Sequence, residues 1–180
     1  IEGPDIQATI ALLKTEEIIK IKSSKILLFD SSLEYEGEIS DFKNPSLLLY
    51  ASLKLKTKDL RNINKKLCDF CDKIKIGGTF YSEIYFKGRL SDPSKWEIGM
   101  KNHSPRLILW NYRFHDLSFD LKMKDELISV PLLTAYPYDG VLNSTVEIDI
   151  SRRDMPYAIG LRLKDIDIHG VVKHSNLKKK

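Results

Sequence analysis

Apolar and polar residues alternate along most of this chain, and the alternation is interrupted every eight to twelve residues by Gly, Asp-Pro or Pro. Consecutive antiparallel strands leave that pattern. It is plainest between Lys87 and Gly140. There Lys87-Gly88-Arg89-Leu90-Ser91-Asp92-Pro93 is followed by Trp96-Glu97-Ile98-Gly99, Leu107-Ile108-Leu109-Trp110, His115 to Leu121 and Ile128 to Leu133. Leu33 to Ile39 alternates cleanly and predicts a strand with one buried face. Leu47 to Lys56 predicts a longer one, with Leu47, Leu49, Ala51, Leu53 and Leu55 on a single side. Asp41-Phe42-Lys43-Asn44-Pro45 predicts a turn, because Asn-Pro suits neither helix nor central strand. Residues 6 to 30 fit two periods. Their β-branched content and the Ser23-Ser24 and Asp30-Ser31-Ser32 breaks favour strands, with a short helix near Leu12 to Ile19 as the alternative.

One clear change of period follows. Leu60, Ile63, Leu67 and Phe70 or Cys71 recur at helical spacing. This predicts one amphipathic helix over residues 58 to 71, with Asp59 as its N-cap, lysines outward, and Gly77-Gly78 closing it. Strands resume at Thr79 to Phe86.

The chain also resembles itself. Tyr35-Glu36-Gly37-Glu38-Ile39-Ser40-Asp41 matches Phe86-Lys87-Gly88-Arg89-Leu90-Ser91-Asp92, and Tyr138-Asp139-Gly140-Val141-Leu142 repeats the opening. Gly37, Gly88 and Gly140 thus mark units of roughly 33–80, 81–135 and 136–175 within one β-rich domain spanning 1–180, or within a piece of a longer repeat protein. Strand units of this size bury their apolar faces by stacking on neighbours and sharing a core. Glycines at such positions suit a bulge or a close backbone approach.

Composition adds limits. With 180 residues, 42% hydrophobic and 30% charged, the chain is globular and able to bury a core. Its net charge of +4 fits lysines on strand edges better than a nucleic-acid surface. Lys178-Lys179-Lys180 reads as a solvated tail. No apolar run approaches the ~18 residues of a membrane span and no secretory signal opens the chain. Ile1-Glu2-Gly3-Pro4 reads as the interior of something longer.

Candidate chemistry is sparse. Cys68-Asp69-Phe70-Cys71 has no second pair to complete a zinc site and ends the helix instead of opening it, which favours structural thiols over a redox pair or metal. His103, His115, His169 and His174 have no partners at recognised spacing. Asp165 and Asp167 read as outward acids on a strand, since the rest of a calcium loop is missing. Glu16-Glu17 and Asp125-Glu126 read as solvated turns or faces. Neither a phosphate loop nor a nucleophile elbow occurs. The expectation is therefore a non-enzyme without cofactor or metal. Trp96, Trp110, Tyr112, Phe114, Tyr136, Tyr138 and Tyr157 suit core or cross-strand pairs. A sugar-stacking platform on a carbohydrate-binding β-sandwich is the alternative, and a protein scaffold using exposed strand edges is a third.

The order of motifs resembles a family. Lys87-Gly88-Arg89-Leu90, the Ile128 to Gly140 segment with Pro131-Leu132-Leu133 and Tyr138-Asp139-Gly140, and Met155 to Ile168 are similar to AsmA-like repeat proteins, the group that includes AsmA, its larger relatives and TamB-type proteins of diderm bacterial envelopes. The likeness covers roughly residues 33 to 175. It implies a periplasmic protein anchored in the inner membrane through segments outside this chain. Such a protein would hold or conduct phospholipid, or another acyl-chain lipid, along an apolar β-groove. Envelope proteins would be its partners and nucleic acid would not. The fold expected is mainly β, a curved antiparallel sheet (β-groove or open sandwich) of repeated strand units with one short amphipathic helix. Leu47, Leu49, Leu53, Leu107 and Leu109 are the expected groove-lining residues.

Overall fold

Ten strands follow one another in the computed structural model, which describes residues 6–174 apart from Glu16 and Asn64. They are β1 (Ile6–Lys14), β2 (Ile18–Leu28), β3 (Ser31–Ser40), β4 (Ser46–Lys56), β5 (Gly77–Arg89), β6 (Glu97–Leu109), β7 (Tyr112–Lys124), β8 (Leu127–Pro137), β9 (Val141–Asp149) and β10 (Tyr157–Lys164). Each pairs antiparallel with the next, so spatial order equals chain order. β1 and β10 do not meet, and the sheet is open. The fold is the mainly-β, repeat-like strand architecture expected. Leu12 lies in β1 and Ile18 and Ile19 in β2, so strands replace the alternative helix.

The connections β6–β7 and β7–β8 are two-residue turns at Trp110-Asn111 and Asp125-Glu126, whose positive φ values (51°, 73° and 50°, 60°) match the twist of tight hairpins. Between β4 and β5 the chain forms α1 (Thr57–Ile63) and α2 (Lys65–Ile74), two helical pieces where one was expected. Cys68 and Cys71 sit within α2, not at its end. Asp59 is not an N-cap. It lies inside α1, almost fully buried, and its Oδ2 accepts from Asp30 N–H (3.1 Å) and the Ser31 hydroxyl (2.7 Å). Asp165 and Asp167 also depart from expectation, because β10 ends before them. Asp167 caps α3 (Ile168–His174), accepting from the backbone N–H groups of His169 (2.9 Å) and Gly170 (3.1 Å).

Four strands carry an extra residue, and each insertion falls where the apolar pattern changes phase. In β2 the register slips between Ile21 and Ser24, so inward positions pass from Ile19 and Ile21 to Ser24, Ile26 and Leu28. In β6 the slip surrounds Pro105, separating Ile98, Met100, Asn102 and Ser104 from Leu107 and Leu109. In β7 it falls at Asp116, whose φ is 45°. In β8 it falls at Pro131-Leu132. Proline is tolerated inside these strands because a bulge leaves its position out of the ladder. A one-residue slip turns every later side chain over. Here the bulge and the change of phase cancel, and one face stays mainly apolar and free of charge from β2 to β10.

Little of that face is fully enclosed. Among the described residues, the buried hydrophobics are Cys71, Leu107, Leu117, Val130 and Ala135. Leu107, Leu117 and Ala135 form one cluster, with Ile76, Phe80 and Phe114 against it. The chain exposes 12791 Å², where a compact protein of its 20.8 kDa would expose about 8,900 Å².

Candidate functional site

Directly paired residues on neighbouring strands share a face, so the register maps both sides of the sheet. One row begins at Ala8 and runs through Ile26, Leu33, Leu53, Ser82 and Asn102. It continues through Phe119, Leu133, Ser144 and Leu161, one residue per strand. A second row runs from Leu12 through Ile21, Gly37, Leu49, Phe86 and Ile98. Met123, Ile128, Ile148 and Tyr157 complete it. From β2 to β10 no described residue on this face is charged. The other side is the reverse. There Lys25, Glu34, Ser52, Glu83, Lys101 and Asp120 are successive partners, with Lys25 Nζ 2.7 Å from Glu34 Oε1.

Ten strands spaced ~4.8 Å apart give the apolar face an extent above ~1,000 Å². The largest apolar patch on an ordinary soluble monomer is about 300–600 Å². Among the described residues no second layer of structure covers it. Even so, its inner-strand residues, Leu33, Leu49, Phe86, Phe119 and Leu121 among them, are half-buried, while most charged-face positions are exposed. Side chains that shade one another without a cover mark the inside of a curve. The edge strands, with neighbours on one side only, leave Leu12, Leu161 and Leu163 exposed.

The five leucines expected to line a groove share this face. Leu47, Leu49 and Leu53 stand on β4, and Leu107 and Leu109 on β6. The last two reach it only because of the bulge at Pro105. Leu107 is buried in the core cluster, and the other four are half-buried. The three repeat glycines sit in different settings. Gly37 is inside β3, Gly88 is near the end of β5, and Gly140 is in the turn before β9. Gly88 serves a close approach. A Cβ there would stand 2.6 Å from Trp96 Cδ1 and 3.2 Å from its Cα. Trp96 therefore lies directly on the β5 backbone, its Nε1 donating to Arg89 O (2.7 Å) and its ring edge-on to Phe86 (5.4 Å).

A polar strip on β5 and β6 interrupts the apolar face, and the sequence carries no local signal of it. Ser82, Asn102 and Ser104 are all buried. The Ser82 hydroxyl donates to Asn102 Oδ1 at 2.7 Å, and Asn102 Nδ2 has no protein acceptor.

Other candidate groups do not converge. His103 and His115 stand on the charged face, with His103 Nε2 4.0 Å from Asp116 Oδ1, and His169 is in α3. No cluster of three or more His, Cys, Asp or Glu suited to a metal occurs among the described residues. Both cysteines are free thiols. Desolvation, and then the Asp72 carboxylate, raise the Cys68 pKa above the ordinary thiol value. The aromatics are dispersed, with Tyr112 and Tyr138 edge-on (6.5 Å), Trp110 in a turn and Tyr136 on the charged face. No helix among the described residues is long and apolar enough to cross a membrane. No protein-family model, curated protein or solved structure matches the chain.

Proposed function

We propose that this chain is a non-enzymatic lipid-holding segment of an AsmA-like envelope protein, in which phospholipid acyl chains lie along the apolar sheet face. One observation carries the reading: an uncharged apolar face crosses from β2 to β10, uncovered, with the charges collected on its back. Burial of methylene groups supplies the driving force, about 0.8 kcal/mol for each CH₂ removed from water. Headgroups stay at the rim, in water. The open edges of β1 and β10 suit a sheet that continues beyond these ten strands, as an elongated groove between the inner and outer bacterial membranes requires. Such a protein would serve outer-membrane lipid homeostasis from the periplasm.

Native mass spectrometry of the chain purified from a bacterial host, followed by lipid extraction, tests this. Phospholipid should co-purify and should be lost in Leu49→Asp and Leu109→Asp variants that keep the wild-type circular dichroism. A clean apo mass, with no uptake of offered phospholipid, sinks the proposal.

A further inference from the structure

The connections β2–β3, β4–β5, β6–β7 and β8–β9 all emerge at one end of the sheet, and over the first three the surface changes character. Phe29 and Trp110, at the tips of two hairpins, are 45% and 58% exposed, and Phe70 on α2 is 57% exposed. These elements are tied together. Trp110 N–H donates to Ile74 O at the end of α2 (2.8 Å), and Asp30, beside Phe29, donates its N–H to Asp59 of α1. On α2, Lys66 and Lys73 stand four residues before and three after Phe70, so they flank its ring on the same stripe of helix. Residues 57–76 carry six basic side chains against three acids, of which Asp59 is buried. Lys58 is paired with Asp30 and Arg61 with Asp72, which leaves Lys65, Lys66, Lys73 and Lys75 as the bases outside those ion pairs. The described turns at the opposite end are net acidic, with Glu17, Asp41, Asp92, Asp125, Glu126 and Asp154 against Lys43, Lys95, Arg152 and Arg153.

We propose that the α1–α2 end of the sheet seats on an anionic phospholipid bilayer. Phe70 and Trp110 enter the headgroup layer, and Lys65, Lys66, Lys73 and Lys75 face lipid phosphates. Aromatic rings favour that layer because it accepts a flat apolar body beside polar groups. Lysines extend their stems along apolar surface and keep the ammonium at the phosphates. The contact is peripheral, and it needs no lipid in the groove, so it stands or falls separately from the function proposed above.

The test uses the full chain and vesicles of phosphatidylcholine alone or with about 30% phosphatidylglycerol, the anionic lipid that attracts juxtamembrane lysines. Co-sedimentation should occur with the anionic vesicles, fall steeply with added salt, and weaken at least tenfold in the Phe70→Ser/Trp110→Ser variant. Both residues are exposed, so that variant should fold. Leu49→Asp should still bind. In Trp96→Phe protein, where Trp110 is the sole tryptophan, emission should shift to the blue on binding. Absence of binding, equal binding to zwitterionic vesicles, or binding untouched by the double variant overturns the proposal.

Discussion

Asp59 offers the sharpest test of how the helical insert is held. Its Oδ2 receives two hydrogen bonds, from Asp30 N–H at 3.1 Å and the Ser31 hydroxyl at 2.7 Å. The Ser31 oxygen in turn accepts from Lys56 N–H at 2.9 Å. One carboxylate thus joins α1, the β2–β3 turn and the end of β4, with Asp59 1% and Ser31 5% exposed. A hydrogen bond to a charged group contributes about 1.5–3 kcal/mol, and leaving a buried donor unmet costs about 1–3 kcal/mol. In Asp59→Ala the Ser31 hydroxyl can rotate elsewhere but the Asp30 amide cannot, which places the expected loss at about 2–4 kcal/mol. Asp59→Asn keeps an acceptor oxygen in place and should lose only about 1 kcal/mol. Native-state hydrogen exchange is the better assay, because a sheet of nearest-neighbour contacts need not unfold as one unit. The Asp30 and Lys56 amides should exchange ~30-fold faster or more in the alanine variant. Equal exchange in the alanine and asparagine variants would refute the reasoning.

Three further outcomes follow from the geometry. Gly88→Ala places a methyl against Trp96, so the ring should leave the β5 backbone, its emission should move to the red, and stability should fall by about 1–3 kcal/mol. Unchanged emission counts against the close approach. Hydrogen bonds from Lys58 and then Lys56 lower the Asp30 pKa to about 2. Its folded value lies below its unfolded one, so its contribution is complete above the ordinary carboxylate value of 3.8 and is lost as pH falls through about 2. Local exchange in α1 should therefore quicken over that window in the wild type and much less in Asp30→Asn. Cys68, its thiol pKa raised by desolvation and then by Asp72, should react slowly with a disulfide reagent near neutral pH and faster in Asp72→Asn. Buried Cys71 should react only on unfolding.

The strands were legible because alternation is a local property. Leu33 to Ile39 and Leu47 to Lys56 show theirs within a single window. What the sequence hid was phase. Pro105 and Pro131 look like strand ends, yet each sits at a bulge inside one strand, so β6 and β8 run longer than their punctuation implies. That a leucine at position 107 shares a face with one at position 53 depends on an inserted residue, and no local pattern reveals it. Asp59 had the right spacing for a cap, but a tertiary partner, the β2–β3 turn, claimed its oxygen. The polar strip of Ser82, Asn102 and Ser104 was invisible for a related reason. Isolated polar residues on three strand positions become neighbours only once the register is known.

The wiring of the sheet has a consequence for synthesis. Every strand pairs with the one before it, and no pairing waits for a distant partner. Chain closure between neighbours is therefore short-range, and the entropy of joining remote segments never has to be overcome. A ribosome delivering this chain would release strands in the order in which they dock, each finished hairpin offering its free edge as the template for the next. The sheet can grow at the rate of translation, and in a longer chain of the same wiring added strands would lengthen it without changing how it folds.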